Sequence, residues 1–265
     1  MLSEQQLHFF HTFGYLKFSG LMKDEIGWIT EEFTQVFPMF ASKIHDGTKR
    51  TSIVAFIDQR EKLSSLIDDP RINGICTSLL GDDFNYMGSD GNYYSGNTTW
   101  HPDDNNRERL HLKIAFYLDE LDHSNGALRV LPGSHHVDDR FNHDLREKVF
   151  HKASEKYLGI PGEDVPAVVV DNVPGDVLVF NHNLYHSAFG GGKSRRMFTL
   201  NCSQRFTDVE VLRSYIVKNA HFKRPSYYGQ AMIASANPQR MKHLEQVMAQ
   251  DDFFAEHTSD LPVMA

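Results

Sequence analysis

Two stretches of this chain carry side chains able to share a metal ion. Trp100-His101-Pro102-Asp103 offers an imidazole and a carboxylate two positions apart, and His186 offers a second imidazole far downstream. In extended backbone, residues i and i+2 project to the same side, so His101 and Asp103 can reach one ion. Two histidines and one carboxylate occupy one face of an octahedron and leave the opposite face for reactants. The chain has 15 histidines, and a second His-x-Asp stands at His136-Val137-Asp138, so spacing alone does not choose between the pairs. Context does. His101 follows Tyr93 to Trp100, which reads as a strand, and His186 follows the strand-like Gly175 to Phe180. His136 instead follows the turn Pro132-Gly133-Ser134 in a charged stretch and reads as solvated loop. His182, four residues before His186, reads as a strand-end histidine making hydrogen bonds.

Beyond His186, the glycine turn Gly190-Gly191-Gly192 leads into Ser194-Arg195-Arg196 and a new strand. A guanidinium pairs with a carboxylate through two parallel hydrogen bonds, so an arginine beside a metal suits a dicarboxylate co-substrate. Neighbouring strand residues face opposite ways, and only one of Arg195 and Arg196 can serve. Substrate contacts are suggested by proximity alone: Tyr93, Asn97 and Trp100 before the motif, and Asn105, Arg107 and Arg109 after it. The competing assignment is core for the aromatics and solvated loop for the arginines.

The elements that must position these groups can be traced. Ser3 and Gln6 form a capping box ahead of a short helix that Gly14 should end. A second helix from Asp24 carries Ile26, Ile29, Phe33 and Phe37 at helical spacing. Short runs follow at Leu110–Leu118, Ala127–Leu131, Val165–Val170, Val177–Phe180 and Met197–Phe206, separated by turns such as Ser124-Asn125-Gly126 and Pro174-Gly175-Asp176. These predict a strand-rich sandwich or barrel. Asn237 then caps a last helical segment with Pro238 in its first turn, reaching about Gln250. The division expected is one domain over 1–265: a helical flank to about 80, a β core over about 84–206, and a helical segment over about 207–265.

Composition narrows the function. With 40% hydrophobic residues, 265 positions can bury one sizeable core. A formal net charge of −8 supplies no basic field for nucleic acid. No apolar run approaches a membrane span and Met1 to Gln6 is polar, so the expectation is a soluble, cytoplasmic protein without membrane association. Two cysteines, Cys76 and Cys202, form no metal knuckle and fit a reducing compartment. Nothing in the sequence addresses oligomeric state.

Taken together, His101-Pro-Asp103, Ala115-Phe-Tyr-Leu-Asp119 through Asn125-Gly-Ala-Leu-Arg-Val-Leu-Pro-Gly-Ser-His135, and Gly175-Asp-Val-Leu-Val-Phe180 with His186 and Arg195 resemble the phytanoyl-CoA dioxygenase family. The order and spacing match from about Gly88 to Phe206, and Phe10 to Leu21 resembles the family's opening. The resemblance implies a double-stranded β-helix, or jelly roll, with flanking helices. It implies Fe(II) held by His101, Asp103 and His186, and O2 and 2-oxoglutarate as co-substrates. It favours Arg195, which heads the pair, for the far carboxylate, although the glycine turn replaces an Asn-containing one. Asp103 disfavours halogenation, since relatives that halogenate have lost that carboxylate. The expected activity is oxidation, foremost hydroxylation, of a C–H bond in a small molecule, with succinate and CO2 as co-products; desaturation, epoxidation and ring closure remain open. The competing readings are a cupin-like metalloenzyme that does not use 2-oxoglutarate, which would need no strand-borne arginine, and a non-catalytic jelly-roll binding protein.

Overall fold

The strand His111–Tyr117 sends Leu112, Ile114 and Phe116 to one face and Ala115 and Tyr117 to the other, and both sets are buried, so it must lie between two packed layers. The computed structural model, which describes residues 1–262, builds those layers from ten strands. They are β1 (Tyr15–Phe18), β2 (Thr51–Val54), β3 (Asn85–Tyr94), β4 (Thr98–His101), β5 (His111–Tyr117), β6 (Leu128–Val130), β7 (Val168–Val170), β8 (Val177–Asn181), β9 (His186–Ala188) and β10 (Arg195–Ser203). A six-stranded sheet runs β1-β8-β5-β10-β3-β2 and a four-stranded sheet runs β4-β9-β6-β7. Every pairing within them is antiparallel. Ala115, Leu178, Phe180 and Met197 of the large sheet pack against Leu128, Val130 and Val170 of the small one. This is the double-stranded β-helix.

The outer face of the large sheet is covered by the helices Ile26–Val36, Pro70–Leu80 and Pro238–Met248. Ile29, Phe33, Ile75, Leu79, Leu244 and Val247 join Ile114, Phe116, Phe198 and Leu200 in one core. Burial on this scale, at roughly 1.5–3 kcal/mol per large apolar side chain, holds the sheet flat against its helices. The opening helix Glu4–Phe13 begins on the capping box, with Ser3 Oγ accepting from Gln6 N at 3.2 Å and Gln6 Oε1 accepting from Ser3 N at 2.9 Å. It ends at Gly14 in the left-handed region. Among the described residues no helix is long and apolar enough to cross a membrane.

Three features depart from expectation. Tyr93 to Trp100 is not one strand: β3 stops at Tyr94, and β4 starts at Thr98 in the opposite sheet. Gly96 turns the chain between them with φ +72° and donates its amide to Gly192 O at 2.9 Å. Secondly, β1 and β2 come from the flank expected to be helical and complete the edges of the large sheet. Each is four residues long, too short to show a period against its surroundings. Lastly, the stretch expected to run Val165–Val170 is strand only from Val168.

Candidate active site

His101 ends β4 and His186 begins β9, and the two stand directly opposite each other in the ladder. Their rings lie 4.5 Å apart between centroids. Each imidazole is oriented by its own backbone neighbourhood: His101 Nδ1 lies 2.6 Å from Thr99 O, and His186 Nδ1 lies 2.9 Å from Leu184 O. A carbonyl accepts only, so both Nδ1 atoms carry the proton and both Nε2 lone pairs are free. Burial pushes His186 down to about 4, which keeps it neutral and able to ligate at pH 7.

Asp103 reaches the same point from the loop after β4. Its amide donates to His182 O at 2.8 Å, and its Oδ2 lies 3.8 Å from His186 Nε2. One donor atom each from His101, Asp103 and His186 lies within 4.8 Å of the others. Among the described residues this is the one such group of three His, Cys, Asp or Glu. Two free imidazole nitrogens and a carboxylate on one side of a point form the donor set of a non-haem iron(II) site.

Asp103 also meets a lysine. Lys113 projects from β5 into the interior, with its ammonium 2.8 Å from Asp103 Oδ2. Burial alone would raise the Asp103 carboxyl, but Lys113, with His186 and His182 nearby, holds it well below the usual carboxylate range. Burial alone would lower Lys113, and Asp103 and Asp90 push it above the usual lysine range instead. Both groups are therefore charged at neutral pH.

Arg195 and Arg196 separate as strand parity requires. Arg195 is 6% exposed and faces the interior, its guanidinium 5.1 Å from the Tyr94 ring and donating to Gly126 O at 2.7 Å. Its Nε has no acceptor among the described residues. Gly126 has φ +104°, and a Cβ there would stand 2.0 Å from Arg195 Nη1. Arg196 points outward and is spent on Asp119, which accepts from its amide at 2.6 Å and from its Nε at 3.0 Å.

None of the six residues suggested as substrate contacts lines the cavity beside Asp103. Tyr93 faces outward against Phe37, with centroids 4.6 Å apart, and stacks on His45. Its neighbour Tyr94 takes the inward position. Trp100 is fully buried in a satellite core with Leu131 and Phe189 and donates Nε1–H to Gly162 O at 2.7 Å. Asn97 Oδ1 accepts from Gly190 N at 2.9 Å, tying one turn to another. Asn105 lies in the loop, where its amide donates to Asp104 Oδ1. Arg107 is solvated and pairs with Asp138 at 3.1 Å, and Arg109 lies 3.9 Å over the Phe206 ring. After Asp103, Asp104 still lines that cavity, and Asn105, Arg107 and Arg109 lie outside it. The exposed His136 lies in that outer region.

The chain matches the phytanoyl-CoA dioxygenase (PhyH) family over residues 10–197. It belongs to that family. A curated relative, the ectoine dioxygenase of Sphingopyxis alaskensis, is 27% identical over a match covering 52% of each chain, so this protein spans about half the length of that relative. The family's fold recurs in solved structures. EctD from S. alaskensis without ligands aligns with TM-score 0.60 and 22% identity over 86% of this chain and 84% of its own. HygX from Streptomyces hygroscopicus, solved with nickel and 2-oxoglutarate, aligns with TM-score 0.60 and 15% identity over 77% and 88%. At these identities the likeness is one of fold.

In this family member, several interior residues escape a motif search. Lys113 left a signal, a lone cation in the apolar run Leu110–Leu118. Tyr117 and Asp90 left none, since an inward Tyr or Asp in a strand looks like any other. His111, beside Lys113 and 2% exposed, is pushed by burial down to about 3. Its folded value is lower than its unfolded value near 6.5, so the stability it contributes is intact above about pH 6.5. Below that the unfolded chain binds a proton the folded chain refuses, at about 1.4 kcal/mol per pH unit until about pH 3. The urea midpoint of His111→Gln is expected to fall less steeply than that of the parent between pH 6 and 4; parallel curves would contradict this.

Proposed function

We propose that this protein is an Fe(II)- and 2-oxoglutarate-dependent dioxygenase that oxidises, foremost by hydroxylation, a C–H bond of a small molecule, releasing succinate and CO2. The observation that carries the reading is the convergence of His101, Asp103 and His186 donors within 4.8 Å in an interior that Arg195 also faces. Family membership supports the same chemistry, as do relatives described with iron, 2-oxoglutarate and 5-hydroxyectoine.

In this reading His101, Asp103 and His186 hold the iron, which when bound activates O2 using electrons from 2-oxoglutarate. The protein's own part is positioning and exclusion of water. The Thr99 and Leu184 carbonyls fix the tautomers that aim both Nε2 atoms inward. Lys113 pairs with Asp103 Oδ2, the oxygen that also faces His186, and so holds the carboxylate charged and turned toward the imidazoles. Arg195, braced by Tyr94 and Gly126, receives the far carboxylate of 2-oxoglutarate as a fixed planar fork. Tyr94 and Tyr117, both raised by burial, stay neutral in the field of Lys113 and Asp103. A free small molecule is the substrate class proposed, without nucleic acid or membrane, and the cytoplasm is the proposed compartment.

The protein loaded with Fe(II) under argon is expected to develop a weak visible charge-transfer band on adding 2-oxoglutarate, and to release succinate once air is admitted. Iron binding without that band at saturating 2-oxoglutarate would favour a cupin-like metalloenzyme instead.

A further inference from the structure

A cavity of about 220 Å³ lies beside Asp103, small for a ligand site. One wall carries Asp103, Lys113 and His182; the other is built from β3, Asp58 of the turn Ile57–Gln59, and the segment after the helix Val209–Asn219, including Arg224 and Tyr227. Gly88, Asn201 and Lys113 stand in one row across the large sheet, with Asn201 paired to both. Two strand spacings, roughly 10 Å, therefore separate the metal-side wall from the β3 side.

Arg224 sets the chemistry of the far wall. Its guanidinium lies 5.8 Å from the Tyr227 ring and 5.3 Å from the Phe254 ring, an arrangement that holds the plane in place. Its Nε and Nη1 are buried and have no acceptor among the described residues. The nearby carboxylate of Asp58 does not supply one. It accepts from Tyr86 Oη at 2.7 Å and the Gly229 amide at 3.1 Å, and faces Arg224 only as a neighbouring charge. Buried guanidinium donors are normally hydrogen-bonded, and a cavity-lining arginine with donors left unpaired suits an oxyanion.

We infer that the substrate of this site carries an anionic group, a carboxylate or comparable oxyanion, which Arg224 grips at the wall opposite Asp103 and Lys113. The inference rests on the dioxygenase reading and adds to it the substrate's charge and reach. A molecule anchored there and spanning the cavity presents its other end to Asp103, the one of the three proposed ligands that lines it. The small volume selects a compact metabolite rather than a long acyl chain.

The test uses the full chain loaded with Ni(II) and saturated with 2-oxoglutarate, which is inert to air. The probes are small carboxylic acids of about five to twelve heavy atoms, each paired with its own primary amide, and binding is read by calorimetry. At least one acid is expected to bind, with its amide at least tenfold weaker. Arg224→Gln is expected to lose at least 30-fold for that acid, Arg224→Lys to recover part of it, and both to keep parental 2-oxoglutarate affinity and melting temperature. Acid and amide binding alike, parental acid affinity in Arg224→Gln, or binding by no acid in the panel would each overturn the inference. Failure to bind 2-oxoglutarate in the parent protein would instead strike the dioxygenase reading, so the two failures are distinguishable.

Discussion

Replacing His101, Asp103 or His186 singly by Ala is expected to cut metal affinity by more than about 100-fold and to remove 2-oxoglutarate-dependent succinate release, while His136→Ala leaves both near the parental level. The bound is set by partners that only orient ligands, whose loss already costs about 10–100-fold. The histidines should tolerate loss without unfolding, because each lies at a strand end and its backbone ladder is unaffected. Asp103→Ala has an added effect: it leaves Lys113 as a buried cation without its 2.8 Å partner. That variant should therefore also lose stability, by about 3–5 kcal/mol, the usual cost of breaking one side of a buried pair. Asp103→Asn, which keeps an acceptor oxygen for Lys113, should recover part of the stability without recovering metal binding. Metal content by elemental analysis and urea unfolding measure the two effects separately. Parental metal binding in any of the three Ala variants, or equal loss in His136→Ala, would refute the ligand assignment.

Arg195→Ala is expected to weaken 2-oxoglutarate binding by about 2–5 kcal/mol, the loss of a charge-assisted bidentate pair in a desolvated site. Arg195 is 6% exposed, so solvent screening reduces this little. Arg195→Lys should rescue incompletely, since an ammonium keeps the charge and loses the fork. Gly126→Ala should mimic part of the loss without touching the arginine, because its new Cβ would fall 2.0 Å from Nη1 and displace the guanidinium. Arg196→Ala breaks a partly exposed pair with Asp119 and should leave 2-oxoglutarate affinity parental, with a stability cost of about 1 kcal/mol or less. Titration followed by the visible band or by calorimetry, with iron content checked, compares all four. Near-parental binding in Arg195→Ala with a large loss in Arg196→Ala would reverse the two roles.

The sequence by itself determined the donor types, their order along the chain and the parity that separates Arg195 from Arg196. Local backbone geometry suffices for the arginines, since strand parity turns adjacent residues apart, whereas Asp103 lies in the loop after β4 and is placed by the bond of its amide to His182 O. Ser3, Gln6 and Gly14 marked the opening helix because caps are local hydrogen-bonding events. Tertiary structure alone decided which strands meet. The pairing of His101 with His186 joins residues 85 positions apart, and no local rule carries that register. Only the fold shows that Gly96 carries the chain from one sheet to the other after Tyr94, so that Tyr94 faces the interior and Tyr93 the helices. It alone brings Lys113 against Asp103, sets Gly126 beside Arg195, and lines one cavity with Asp103, Lys113 and the distant Arg224. The cavity beside Asp103 is lined from strands and segments distant in sequence, which proximity to the His-x-Asp motif does not reveal.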